Sequence, residues 1–187
     1  MTTLNVELLP KRIELAHQLN PTATDVALLV NPTNPSAKAL SRDAHAAARA
    51  LGLRLQVVEA SSESDFETAF TTLTRMHAGG LVIGPDPFFV GRSAQLAALA
   101  LREAVPTVFE FRQFVAAGGL MSYGGSLTEV YRLAGVYVGR VLKGEKPAEL
   151  PVHQSTKVEL MINLRTARAL GLEMPPVLLA RADEVIE

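Results

Sequence analysis

The chain contains no cysteine. That excludes disulfides, thiolate metal sites and cysteine nucleophiles together, but it leaves the compartment open, because exported bacterial proteins can also lack cysteine. An excess of charge of one sign is missing too. Eighteen Lys and Arg stand against nineteen Asp and Glu. The two signs are interspersed, so no basic face argues for nucleic acid and no basic amphipathic stretch for a membrane surface. No apolar run approaches the ~20 residues needed to span a bilayer. Tandem repeats and low-complexity tracts are absent. Residues 1–10 show no basic segment followed by an apolar one, so a chain starting there is expected to carry no export signal and, as it stands, to remain in the cytoplasm.

What is present is an ordinary globular composition: 187 residues, 48% apolar and 20% charged, enough for one domain or one and a half small ones. Pro10 suits a helix start, and Ile13, Leu15, Ala16 and Leu19 continue at helical spacing up to Asn20-Pro21. Residues 26–30 form an apolar run with no polar face, as a central parallel strand requires. An alanine-rich helix follows from Ser36 to Leu51, closed by Gly52. Leu53, Leu55 and Val57 alternate with polar residues as in a half-buried strand. Residues 61–65 cap a helix carrying Phe66, Ala69, Phe70, Leu73 and Met76. Further strands are expected at 81–83, 106–109 and 120–122, with a helix at 93–103 and a short one before 116. The alternation predicts an α/β fold with a doubly wound, mainly parallel sheet of five to six strands. After residue 126 the pattern changes. A helix at 127–142 with Val130, Leu133, Ala134, Tyr137 and Val141 on one face protrudes between linkers. A weak strand at 158–162, an Asn163-capped helix at 164–170 and a short final helix complete the chain.

Doubly wound sheets bind ligands at the carboxyl ends of their strands. In this sequence those ends carry the chemically interesting residues, and each has a plain structural alternative. Asn31, Asn34 and Ser36 open a helix and could hold a carboxylate, or they could simply cap the turn. Asp86 and Phe88 could pair a ligand ammonium with aromatic packing, or form a capped Pro-rich turn with Phe89 in the core. Glu110 reads as one member of a solvated ion pair with Arg112, or as a ligand contact. Tyr123 and Ser126 flank Gly124 and Gly125, which suit a hinge, while a Gly turn before a Ser-capped helix explains Ser126 nearly as well. The histidines at 17, 45, 77 and 153 are scattered, so no metal site is expected, and no cofactor either. A nucleophile elbow, a dinucleotide-binding glycine motif and a P-loop are all missing.

Several stretches resemble the ABC-transporter substrate-binding protein family of the tryptophan/tyrosine type. They are Lys11-Arg-Ile-Glu-Leu15, Val26-Ala-Leu-Leu-Val-Asn-Pro-Thr-Asn-Pro35, Gly84-Pro-Asp-Pro-Phe-Phe89, Gly118-Gly-Leu-Met-Ser-Tyr-Gly124, Gly139-Arg-Val-Leu-Lys-Gly144 and Lys157-Val-Glu-Leu-Met-Ile-Asn163. The resemblance implies a periplasmic-binding-protein-like fold of two Rossmann-like lobes clamping a small, amino-acid-like solute for delivery to an ABC permease, without catalysis. It also implies a division of this chain. Residues 1–9 would be the remnant of a crossover between lobes and 10–126 one ligand-binding lobe. Residues 127–151 would pack on a first lobe that the chain lacks, and 152–187 would return to the second. On this reading the protein is a truncated solute-binding component, periplasmic by resemblance, and the uncovered 127–142 helix favours a homodimer. The alternatives are a flavodoxin-like enzyme using Asp86 or Glu110, and a non-binding fragment that dimerises.

Overall fold

The structure, a computed structural model, describes residues 2–3, 6–151, 154–155 and 157–187. His153 and parts of the expected 1–9 crossover remnant and of the start of the expected 152–187 return lie outside the described residues.

Nine strands and nine α-helices are present among the described residues. In chain order they are β1 (Thr2–Thr3), α1 (Leu9–Leu19), β2 (Asp25–Val30), α2 (Ala37–Ala50), β3 (Arg54–Glu59), α3 (Glu63–Arg75), β4 (Leu81–Ile83), α4 (Pro87–Val90), α5 (Ser93–Arg102), β5 (Thr107–Phe109), α6 (Arg112–Ala116), β6 (Met121–Gly125), α7 (Leu127–Leu142), β7 (Gln154–Ser155), β8 (Val158–Asn163), α8 (Leu164–Ala169), α9 (Pro176–Arg181) and β9 (Glu184–Ile186). The main sheet has the order β3-β2-β4-β5-β6-β8-β9, and β1 pairs with β7 in a separate two-stranded ladder. All pairings in the main sheet are parallel except β6 with β8. The sheet therefore has seven strands, where the sequence suggested five or six. The addition is β9, whose three residues include Glu184 and follow a helix-like Pro start, so no periodicity announces it.

Strand β2 shows why the class was readable. Its side chains alternate between two cores. Val26, Leu28 and Val30 join α1, α2, α8 and α9 on one face, while Ala27 and Leu29 join α3, α5 and α6 on the other. Both faces being covered, a continuous apolar run is the only pattern the strand tolerates. Edge strand β3 is half buried, as its alternation required. Local signals set the helix boundaries. The Asp65 carboxylate accepts from the Ser61 and Ser62 amides at 2.8 and 2.9 Å at the start of α3. Asn163 Oδ1 accepts from the Thr166 amide at 3.1 Å at the start of α8. Each satisfies amides that the first helical turn leaves open. Helix α7 differs from the rest in having no buried residue.

Gly119 enters β6 directly beneath the buried Phe114 ring. A Cβ there would lie 2.3 Å from the ring carbons, well inside contact distance. We expect Gly119→Ala to destabilise the fold by about 1–3 kcal/mol through overpacking. Adding Phe114→Leu should make the double variant less damaged than the two single losses combined, because the residues share one space. Urea unfolding of the four proteins measures this, and strict additivity would contradict the contact.

Candidate functional site

The strand order is β3 on one side of β2 and β4 on the other, so the topological switch point lies between the parallel strands β2 and β4, where the loops after them diverge and leave a crevice. Both loops are Pro-rich and both are organised by a side-chain amide or carboxylate. After β2, Asn31 Oδ1 accepts from the Thr33 amide (3.1 Å) and hydroxyl (2.7 Å). Asn34 Oδ1 accepts from the Ser36 amide at 2.9 Å. These short-range bonds are the turn-forming habit of asparagine. They aim the remaining Asn34 donor across the crevice, where Nδ2 donates to Asp86 Oδ2 at 2.8 Å. The other Asp86 oxygen accepts from the Phe88 amide at 2.7 Å and so caps α4. The capping alternative for Asp86 is therefore realised, and with it a bond between residues 52 apart in sequence.

One strand further along, Glu110 follows β5. It is 3% exposed, and no described residue forms a hydrogen bond or ion pair with its carboxylate. The expected pair with Arg112 does not form. Arg112 begins α6, leaves the strand's line and pairs with Glu184 of β9 at 2.9 Å. The charge nearest Glu110 comes from the other direction. Arg12, fully buried on the apolar stripe of α1, donates from Nε to the Tyr123 carbonyl at 2.7 Å and acts on Glu110 through space. Burial raises the Glu110 carboxyl to about 7, opposed by Arg12 and reinforced by Asp86. Burial likewise lowers the Arg12 guanidinium to about 10, which still leaves it charged at neutral pH. Desolvation outweighs attraction for both.

Asp86 and Glu110 open on a common cleft of about 600 Å³ whose other walls are Val6, Pro85, Pro87, Val90, Gly91, Phe111 and, from α7, Leu127 and Tyr131. The wall is apolar with two carboxyl groups set into it, the usual make-up of a small-molecule site. Phe88 is half-buried and already engaged. Its ring lies 5.4 Å from that of Phe66 and 5.6 Å from that of Phe89, with the Arg92 guanidinium 4.7 Å above it. Tyr123 contributes its carbonyl to Arg12, and its ring packs with the α1–α2 core. Ser126 Oγ accepts from the Glu129 amide at 3.4 Å and caps α7. Gly124 and Gly125 lie within β6, in register with Glu159 and Val158 of β8. Among the described residues no group of three or more His, Asp or Glu is placed to hold a metal.

A profile of the ABC transporter substrate binding protein family matches residues 2–186. The chain belongs to that family. A search of curated proteins gives no match. Solved structures of similar fold include a conserved domain protein from Vibrio cholerae O1 biovar eltor (TM-score 0.83, 21% identity, 95% of this chain and 60% of that one). An ABC domain from Streptococcus pneumonia in complex with L-Trp is comparably similar (0.82, 22%, 95% and 62%). A ligand-free, open substrate-binding protein with adhesive properties from Clostridium difficile is more distant (0.68, 18%, 94% and 59%). At these identities the likeness concerns the fold alone. The chain spans about three fifths of the length of the chains it matches.

The residue missed from sequence was Arg12. Its signal lay in the spacing: Leu9, Ile13, Ala16 and Leu19 define the buried stripe of α1, and Arg12 is the charged member of it. The raised Glu110 carboxyl has a thermodynamic consequence. An acid whose folded pKa lies above its unfolded value favours folding fully below about 4.5 and loses that contribution as pH rises through about 7. At ~1.4 kcal/mol per tenfold change in proton affinity, the loss is on the order of 3 kcal/mol. We expect the stability of Glu110→Gln relative to wild type to improve by that order between pH 5 and pH 8 in urea titrations. An unchanged difference between the two proteins would contradict the burial argument.

Proposed function

We propose that this lobe binds a small, amino-acid-like solute in the cleft at the ends of β4 and β5 and serves as part of the solute-capturing component of an ABC transporter, handing its ligand to a membrane permease from the periplasm. The observation that carries this reading is the pair of carboxyl groups, Asp86 and Glu110, set in an otherwise apolar cleft beside the topological switch point. A solute with an ammonium group and an apolar body complements that wall. Family membership supports transport rather than catalysis, and a relative of the same fold holds L-Trp. Asn31, Asn34 and Ser36 would shape the rim, Phe88 would brace α4 behind the wall formed by Pro87 and Val90, and Tyr123 and Ser126 would stand at the exit to α7. Gly124 and Gly125 would act as the hinge.

On this reading residues 10–126 and 152–187 form one jaw of a clamp whose other jaw would take the surfaces of α7 and of the 1–9 crossover. The three-fifths span of the matched chains fits that division. The clamp would work by population shift, the ligand favouring the closed form by touching both jaws. One jaw alone supplies too few contacts for tight binding, so the chain by itself should bind L-tryptophan or branched amino acids only weakly, with Kd on the order of 0.1–1 mM. Asp86→Asn should weaken that by about tenfold, a typical value for a hydrogen bond to charge. Calorimetry tests both statements. Nanomolar binding by the chain alone would overturn the single-jaw reading, and a complete lack of binding would overturn the solute reading.

A second reading concerns assembly. No residue of helix α7 is fully buried, and Tyr131, Val138 and Leu142 are 71%, 57% and 82% exposed. Apolar surface of that extent calls for a cover. We propose that in the isolated chain a second copy supplies it, giving a homodimer. Light scattering should then report twice the chain mass at high concentration, with Val138→Glu returning the monomer. A monomeric wild type at those concentrations would sink the idea.

A further inference from the structure

The cleft is lined by two carboxyl groups that differ in how they are held. Asp86 has both oxygens engaged, by the Asn34 amide group and the Phe88 backbone amide. Glu110 is 3% exposed, lines the same cleft, and receives no hydrogen bond or ion pair from any described residue. Carboxyl groups of this kind are costly to ionise, and a nearby carboxylate adds to the cost. Among the described residues, the charged groups acting on Glu110 are Arg12 from α1 and Asp86 from the turn before α4, and Tyr131 of α7 is the other titratable residue lining the cleft. Arg12 tempers the cost from the protein side, but its Nε is committed to the Tyr123 carbonyl. What Glu110 lacks is a donor arriving from the cleft.

We infer that Glu110 makes solute capture proton-linked: an ammonium entering the cleft beside Asp86 displaces the proton of Glu110 to solvent and takes its place as the partner of the carboxylate. The inference rests on the solute-binding reading above. The balance is simple. A neutral carboxylic acid and a bound-to-be ammonium become a carboxylate–ammonium pair, and one proton leaves to the buffer. No bond other than O–H breaks. Since burial and Asp86 hold Glu110 protonated up to near neutrality, the exchange occurs below that point. Affinity for an ammonium ligand should therefore climb with pH through the mildly acid range, and a ligand lacking the ammonium should show the opposite or no trend.

The test uses the whole chain with L-tryptophan and with indole-3-propionate, its analogue without the amino group. The ammonium and carboxylate of tryptophan keep their charges across pH 5.5–8, so a pH trend reports on the protein. Wild type should bind tryptophan about tenfold more tightly at pH 8 than at pH 5.5. Calorimetry at pH 6 in buffers of different ionisation enthalpy should count nearly one proton released. Glu110→Gln should bind with little pH trend and release none, while indole-3-propionate should gain nothing from raising the pH. A ¹³C carboxyl titration of Glu110, assigned by the variant, gives an independent check that needs no affinity difference: saturating tryptophan should move its midpoint downward. Tryptophan binding with no proton release and an unmoved Glu110 midpoint would overturn the proton link alone. An undiminished pH trend in Glu110→Gln would overturn its assignment to this residue. Absence of binding at every pH overturns the solute-binding reading itself and this inference with it.

Discussion

Because helices cover both faces of the central strands β2, β4 and β5, charged and amide side chains are kept to the strand ends. Everything distinctive about the protein follows from that confinement. A strand buried on both sides has room for a small hydroxyl such as Thr107 but not for a charged or amide side chain along its length, so Asn31, Asp86 and Glu110 appear only after the last apolar residue of their strands. The order of the strands then decides which ends become neighbours. Since β2 and β4 are adjacent while their following helices leave to opposite faces, Asn34 and Asp86 meet across the gap, although 52 residues separate them. The crevice is a result of topology, and the side chains set its charge and shape.

The second constraint is the low polarity around α1. Arg12 sits where a leucine would continue the stripe, and its burial is tolerated because the guanidinium can reach the Tyr123 carbonyl and the field of Glu110. Such a buried cation contributes little net stability once its desolvation is counted. Its effect is on position and proton affinity. It ties α1 to the middle of β6, and it keeps a buried carboxyl from being neutral at all accessible pH values.

The fold was legible where periodicity and local chemistry agree. The two-sided apolar run of β2, the capped starts of α3 and α8, and the polar clusters at strand ends all obey short-range rules that a linear reading can apply. What could not be read depends on distant partners. Strand β9 is three residues whose strand character comes from lying beside β8. Arg112 has Glu110 two residues away, yet the turn into α6 sends it to Glu184. Asn34 and Asp86 were each legible as candidates, but nothing in either loop announces their bond. Arg12 was overlooked because a charged residue on a helix is ordinarily solvated, and only its phase relative to the apolar stripe distinguishes it.

The antiparallel return of β8 beside β6 has a mechanical meaning. The chain leaves the sheet for α7 at Gly125 and comes back at Val158, and these two residues are register partners on neighbouring strands. The ladder of β1 with β7 draws the entry to α1 alongside the return path. Departure and return are thus yoked, so a movement of α7 against the sheet cannot be absorbed at one backbone position alone. The two exits from the sheet therefore sit side by side, and a change in the placement of α7 would have to be matched at Gly125 and at Val158 together.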